Sequence, residues 1–262
     1  MVDSPTAHPE VNVVLRELLP GMRAILGDRL VGMYLTGSLA AGDFDRYSDV
    51  DFVAVTEDEV GGELFAALDT LHQRIAMIDS WCATQLDGAY ISRTALRRFD
   101  PANAVHAYID RGRGERLKMV QFDEVAVQSY LLRERGMTLD GPDPRTLVDP
   151  VTPEDLRRAM RRVLEGWASQ ILDDPARIDS QGYQSYTVLS LCRILYTLQF
   201  GAVVSKPIAA EWASETFGQR WAPLIGRAWT GRQHPERAAA AADIDGTLTL
   251  IRESLRHGRA SA

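Results

Sequence analysis

At 262 residues and 45% hydrophobic, the chain is long enough to bury a sizeable core, as one large domain or two small ones. Its net charge of −7 is unevenly spread: residues 1–150 carry 15 Lys and Arg against 24 Asp and Glu, a net −9, whereas residues 151–262 carry 14 against 12, a net +2. An acidic amino-terminal half disfavours a nucleic-acid backbone and favours metal ions and polycationic small molecules, while two cysteines, Cys82 and Cys192, provide neither a disulfide framework nor metal-ligand spacing.

The first ten residues carry no apolar leader segment, and no apolar stretch approaches the roughly 20 residues that cross a bilayer. A cytoplasmic protein that engages no membrane is expected. From Val11 to Leu26, Val14, Leu18 and Met22 recur at helical spacing. Leu30 to Leu35 is a short apolar run that reads as a buried strand, entering a tight turn at Thr36-Gly37-Ser38. Residues 40–48 are rich in turn formers, and Asp49-Val50-Asp51-Phe52-Val53-Ala54-Val55 resumes a strand pattern. Leu64, Leu68, Leu71, Ile75 and Ile78 mark an amphipathic helix, and Gln85 to Ser92 reads as a further strand. Strand, helix and strand in succession predict an α/β sheet. Between Leu139 and Thr152 the helix breakers Gly141, Pro142, Pro144 and Pro150 predict a linker, dividing the chain into domains at 1–150 and 151–262.

Beyond it the pattern is helical. Thr152 is placed to cap a helix with Pro153 at its first position and Asp155 in its first turn, and Leu156, Met160, Val163, Trp167 and Ile171 form its stripe. Val188, Leu191, Leu195 and Leu198 mark another helix, and three more are expected over 208–217, 220–229 and 236–256. The second domain is therefore read as an all-α bundle.

The chemistry concentrates in residues 37–51. Glycine at 37 lets backbone approach a ligand, and turn N–H groups with the Ser38 hydroxyl can donate to phosphate oxygens. Alternation along a strand puts Asp49 and Asp51 on one side, roughly 7 Å apart. Two carboxylates so placed repel, and a divalent cation removes that cost; magnesium is commonly held by one or two carboxylates plus substrate phosphates. The plainer alternative is an ordinary Gly-Ser turn with two solvated aspartates. A third carboxylate is sought as general base, and Asp87, at the start of the 85–92 strand, is preferred to Asp79 at the end of the preceding helix. Arg193, inside an otherwise apolar helix, and Lys206 are candidate phosphate-binding cations. The histidines, His8, His72, His106, His234 and His257, have no mutual ligand spacing and are read as structural or surface.

Gly37-Ser38 with Asp49-x-Asp51 resembles the signature of the DNA polymerase β-type nucleotidyltransferase superfamily. The whole chain is most similar to the streptomycin/spectinomycin adenylyltransferases, through Leu139-Asp140-Gly141-Pro142, Arg193-Ile194-Leu195-Tyr196, Lys206 and Ala209-Ala210-Glu211-Trp212. The resemblance implies a mixed-sheet nucleotidyltransferase domain with flanking helices followed by a helical domain. It also implies two magnesium ions at Asp49 and Asp51, ATP as co-substrate, and AMP transfer to a hydroxyl of an aminoglycoside-type acceptor. Asp87 would be the catalytic base, where those enzymes carry a glutamate one methylene longer. Gly37, Ser38, Arg193 and Lys206 would hold the nucleotide, in a cleft assembled by closure of the two domains. Asp179 and Tyr183, with Tyr186, would form part of an acceptor wall, although an acid is expected where Tyr183 stands. A monomer acting on a cationic small molecule, and not on nucleic acid, is expected. The alternatives are a nucleotidyltransferase that modifies a protein or RNA end, and a non-catalytic nucleotide sensor; an intact acid at 49, 51 and 87 speaks against the latter.

Overall fold

The structure, a computed structural model, describes residues 4–98, 105–110, 116–121 and 125–260. The chain divides into two compact units, Met1–Pro150 and Val151–Ala262. In the first, a six-stranded mixed sheet runs in the order β5-β4-β3-β2-β1-β6, with strands β1 (Leu30–Leu35), β2 (Val50–Thr56), β3 (Leu86–Ser92), β4 (Val105–Asp110), β5 (Lys118–Gln121) and β6 (Met137–Asp140). β2 and β3 are parallel, and the other neighbours are antiparallel. The parallel pair needs a crossover, which α3 (Gly62–Ile75) supplies.

Alternation sorts the side chains of this sheet onto two faces. Met33, Leu35, Phe52, Ala54, Leu86, Tyr90, Ala107 and Ile109 share one buried cluster with Val14, Leu18 and Met22 of α1 (Pro9–Leu26) and with Leu68, Leu71 and Ile75 of α3. His72 lies in this layer, fully buried, its Nε2 2.7 Å from the Tyr90 hydroxyl. Tyr34, Val53, Ala89 and Ile91 point the other way, and so do Asp51 and Asp87. α4 (Arg93–Arg97), α5 (Val125–Arg135) and α6 (Pro144–Leu147) pack beside one another, and α4 also packs against β2 and β3.

Three local expectations change. Thr36-Gly37-Ser38 does not form a free turn but opens the short helix α2 (Gly37–Ala41), which Gly42 closes in the left-handed region. The stretch read as a linker begins inside the sheet: Asp140 pairs with Met33 as part of edge strand β6, and Pro144–Leu147 is a helical turn. β4, β5 and α5 were not anticipated at all.

The second unit is helical. α7 (Pro153–Asp173) carries a full capping box, in which the Thr152 hydroxyl accepts from Asp155 N–H while the Asp155 carboxylate accepts from Thr152 N–H. α8 (Gln181–Phe200) is the central helix, buried along most of its circumference and packed on α7, α9 (Lys206–Gly231) and α10 (Ala241–Ala260). α9 is broken at Gly218, whose φ of 57° and ψ of −145° are not helical, so the two helices expected on either side of it are joined end to end. No helix among the described residues is long and apolar enough to cross a membrane.

Candidate active site

Gly37 and Ser38 are held against the start of β2 by a hydrogen bond from Thr36 N–H to the Asp51 carbonyl, 3.1 Å long. Gly37 has a φ of +58°, and a Cβ there would fall onto the Asp51 carboxylate. Conformation and space both require glycine. The Ser38 hydroxyl is buried and has no hydrogen-bond partner. A buried hydroxyl left so costs about 1–3 kcal/mol unless an acceptor arrives, which suits a phosphate oxygen.

Asp51 lies within β2 and Asp49 one residue before it. In the parallel β2–β3 register Asp51 stands directly beside Asp87, and in the antiparallel β3–β4 register Asp87 stands directly opposite Asp110. Three aspartates thus form a row across three strands on one face. Like charges at directly paired positions destabilise a sheet. Burial raises the Asp87 carboxyl well above the usual carboxylate range, and the charges of Asp51, Asp49 and Asp110 add to the rise. A 2.6 Å hydrogen bond from the Tyr108 hydroxyl to Asp87 Oδ1 works in the opposite direction.

Among the described residues no three His, Cys, Asp or Glu side chains form a ready-made metal cage. The oxygen-only donors at Asp49 and Asp51 nonetheless fit a hard cation such as magnesium, which keeps waters and takes substrate phosphates as further ligands. Asp79, the rival base, is an exposed residue in the bend after α3 and stands outside the row.

The remaining sequence candidates lie in the helical unit. Arg193 sits in the middle of α8 with its Nε buried and without a partner. Two turns earlier on the same helix is Tyr186, whose ring lies 5.4 Å from the Lys206 ammonium at the start of α9. Tyr186 stacks on Tyr183 at 5.7 Å, and the Tyr183 hydroxyl accepts from Trp167 Nε1–H at 3.2 Å. Asp179 is exposed at the end of a 3-10 turn, where its carbonyl accepts from Ala239 N–H. The structure therefore gathers Gly37, Ser38, Asp49, Asp51 and Asp87 in one unit, whereas in the other Tyr183, Tyr186 and Lys206 cluster near the starts of α8 and α9 and Arg193 stands farther along, in the middle of α8.

Sequence reading missed Tyr108 and Asp110, because β4 went unrecognised. The signal was present in Val105-His106-Ala107-Tyr108-Ile109-Asp110, a six-residue run rich in β-branched and aromatic residues.

Comparison with known proteins gives matches to both units. Residues 15–84 match the family described as "Nucleotidyltransferase domain", and residues 146–253 match "Aminoglycoside adenylyltransferase, C-terminal domain". Among curated proteins, an aminoglycoside (3'') (9) adenylyltransferase of Rhizobium radiobacter is 24% identical over 93% of this chain and 92% of its own length. One from Escherichia coli is 27% identical over 89% and 90%. A spectinomycin 9-adenylyltransferase of Staphylococcus aureus is 27% identical over 73% and 74%. Among solved structures, spectinomycin adenyltransferase AAD(9) from Enterococcus faecialis with ATP and spectinomycin superposes with a TM-score of 0.73 at 16% identity, over 94% of this chain and 98% of that one. At that identity the likeness establishes the fold.

Proposed function

Because the chain joins a nucleotidyltransferase domain to the carboxy-terminal domain of the aminoglycoside adenylyltransferases, we propose that it transfers AMP from ATP to a hydroxyl of an aminoglycoside-type antibiotic of the streptomycin/spectinomycin class. The observation that carries this reading is the in-register row of carboxylates beside the buried, unpartnered Ser38 hydroxyl.

Asp49 and Asp51 would hold two magnesium ions, which supply charge neutralisation at the α-phosphate and at the departing pyrophosphate. The other roles belong to the chain itself. Ser38 and the backbone at Gly37 donate to phosphate oxygens. Asp87 accepts the proton of the acceptor hydroxyl as its oxygen forms the new bond to the α-phosphorus and the bond to pyrophosphate breaks. Arg193 and Lys206 offset the charge of the triphosphate, Arg193 through a planar fork and Lys206 as a point charge. Asp179 and Tyr183 contact the acceptor, and the acidic amino-terminal half favours a cationic one over nucleic acid. The protein acts as a monomer.

Incubation with magnesium-ATP and streptomycin, spectinomycin or kanamycin, read by mass spectrometry, should yield an acceptor enlarged by one AMP. Asp87→Asn should abolish product under multiple turnover, leaving only a slow residual single-turnover rate, while ATP binding, measured by calorimetry, stays near wild type. Absence of an AMP adduct with every acceptor would remove this function, and full turnover in Asp87→Asn would remove the assigned base.

A further inference from the structure

We propose that Tyr108 is a positioning residue for Asp87, its hydroxyl fixing one carboxylate oxygen so that the other is presented to the acceptor. The inference rests on the reading of Asp87 as the base. In the β3–β4 register Asp87 faces Asp110 and Ala89 faces Tyr108, so Tyr108 is the diagonal neighbour of Asp87 on the same face. Diagonal cross-strand positions lie roughly 7–8 Å apart, a span that a phenol covers and a short side chain does not. The 2.6 Å separation between the Tyr108 hydroxyl and Asp87 Oδ1 is that of a charge-assisted O–H···O⁻ bond.

An aspartate carboxylate turns easily about its last torsion, which has a broad twofold profile, so an unheld base would present its lone pairs over a wide arc. Its two in-register neighbours, Asp51 and Asp110, are themselves carboxylates and cannot donate when ionised. Among the described residues Tyr108 is the one hydrogen-bond donor to the Asp87 side chain. Holding Oδ1 leaves Oδ2 as the proton acceptor. The device matters because a misplacement of about 1 Å at a reacting group can cost on the order of 10²-fold in rate.

Tyr108→Phe keeps the ring and removes the donor. With magnesium-ATP and whichever aminoglycoside the wild-type protein modifies, kcat should fall by roughly 10- to 100-fold, while KM for ATP and for the acceptor change by less than about threefold. The melting temperature and calorimetric ATP affinity should hold. Single-turnover rates should show no further loss when Tyr108→Phe is added to Asp87→Asn, since the hydroxyl then has no base to position. A wild-type kcat in Tyr108→Phe overturns the inference. So does a loss of kcat, ATP affinity and melting temperature together, or an equal further loss on the Asp87→Asn background. If the wild-type protein transfers no AMP, the functional reading itself fails, an outcome separate from these.

Discussion

The two faces of the central sheet are built from the same strands and obey opposite rules. On one, Phe52, Leu86, Tyr90 and Ile109 meet α1 and α3 with no exposed surface worth noting, as a packed core requires. On the other, one residue out of phase, Asp51, Asp87 and Asp110 stand in line. Stability favours the first arrangement and opposes the second. A sheet that accepts a row of like charges is spending fold stability on a binding capacity, so substitutions on the two faces should have opposite signatures.

Asp51→Asn tests the charged face and has the largest expected effect. AMP transfer should fall on the order of 10³-fold, about 4 kcal/mol of transition-state stabilisation. Removing one of three aligned negative charges should leave the melting temperature unchanged or slightly raised. A variant that lost both stability and activity would show that Asp51 supports the fold, which the comparison of faces excludes.

Phe52→Ala, one residue along, should behave the other way. Phe52 is almost fully buried, and truncation of such a ring costs about 3–5 kcal/mol in urea unfolding. Activity per folded molecule should persist at low temperature. Gly88, its parallel neighbour on β3, sharpens this: a Cβ there would meet the Phe52 ring. Gly88→Ala alone should cost about 1–3 kcal/mol by overpacking, and part of that loss should return when it is combined with Phe52→Leu.

Legibility in the sequence followed the same division. β2 and β3 could be read because their apolar runs are long and their carboxylates interrupt them at informative positions, and an α/β domain followed by a helical one was accessible on that basis, the mixed character of the sheet being implied by the family resemblance alone. Edge strands were not. β5 and β6 have four residues each, with partly exposed side chains, so their alternation barely rises above loop composition. Missing β4 hid Tyr108 and Asp110, because a residue's place in a row across strands depends on register, a tertiary property. The helix expected from Glu236 begins instead at Ala241. Residues 236–240 look helical by composition, but Pro235 and Arg237 carbonyls accept from the backbone at the start of α8, and Ala239 N–H donates to the Asp179 carbonyl. Tertiary hydrogen bonds outweigh alanine propensity there.

The smallest predicted effect lies off the row, in the segment that joins β2 to α3. Glu59 accepts a 2.5 Å hydrogen bond from the Ser92 hydroxyl and lies 3.2 Å from Nδ1 of the fully buried His106. Burial pushes its carboxyl upward, but the hydrogen bonds to His106 and Ser92 outweigh it, and the net shift is downward from the ordinary value of 4.5. A carboxylate whose folded-state value is depressed stabilises the fold above its unfolded value and loses that contribution as pH falls through the folded one. Nearly half of the Glu59 side chain is exposed, so solvent screening limits the effect to under about 1 kcal/mol. The stability gap between wild type and Glu59→Gln, followed by urea unfolding, should therefore close as the pH falls below 4.5. Here hydrogen bonds to the ionised form outweigh burial, whereas at Asp87 burial and the charges of neighbouring aspartates prevail, so loss of Glu59 should weaken the fold slightly. A gap that widened on acidification would mean that its neighbours do not stabilise the ionised form.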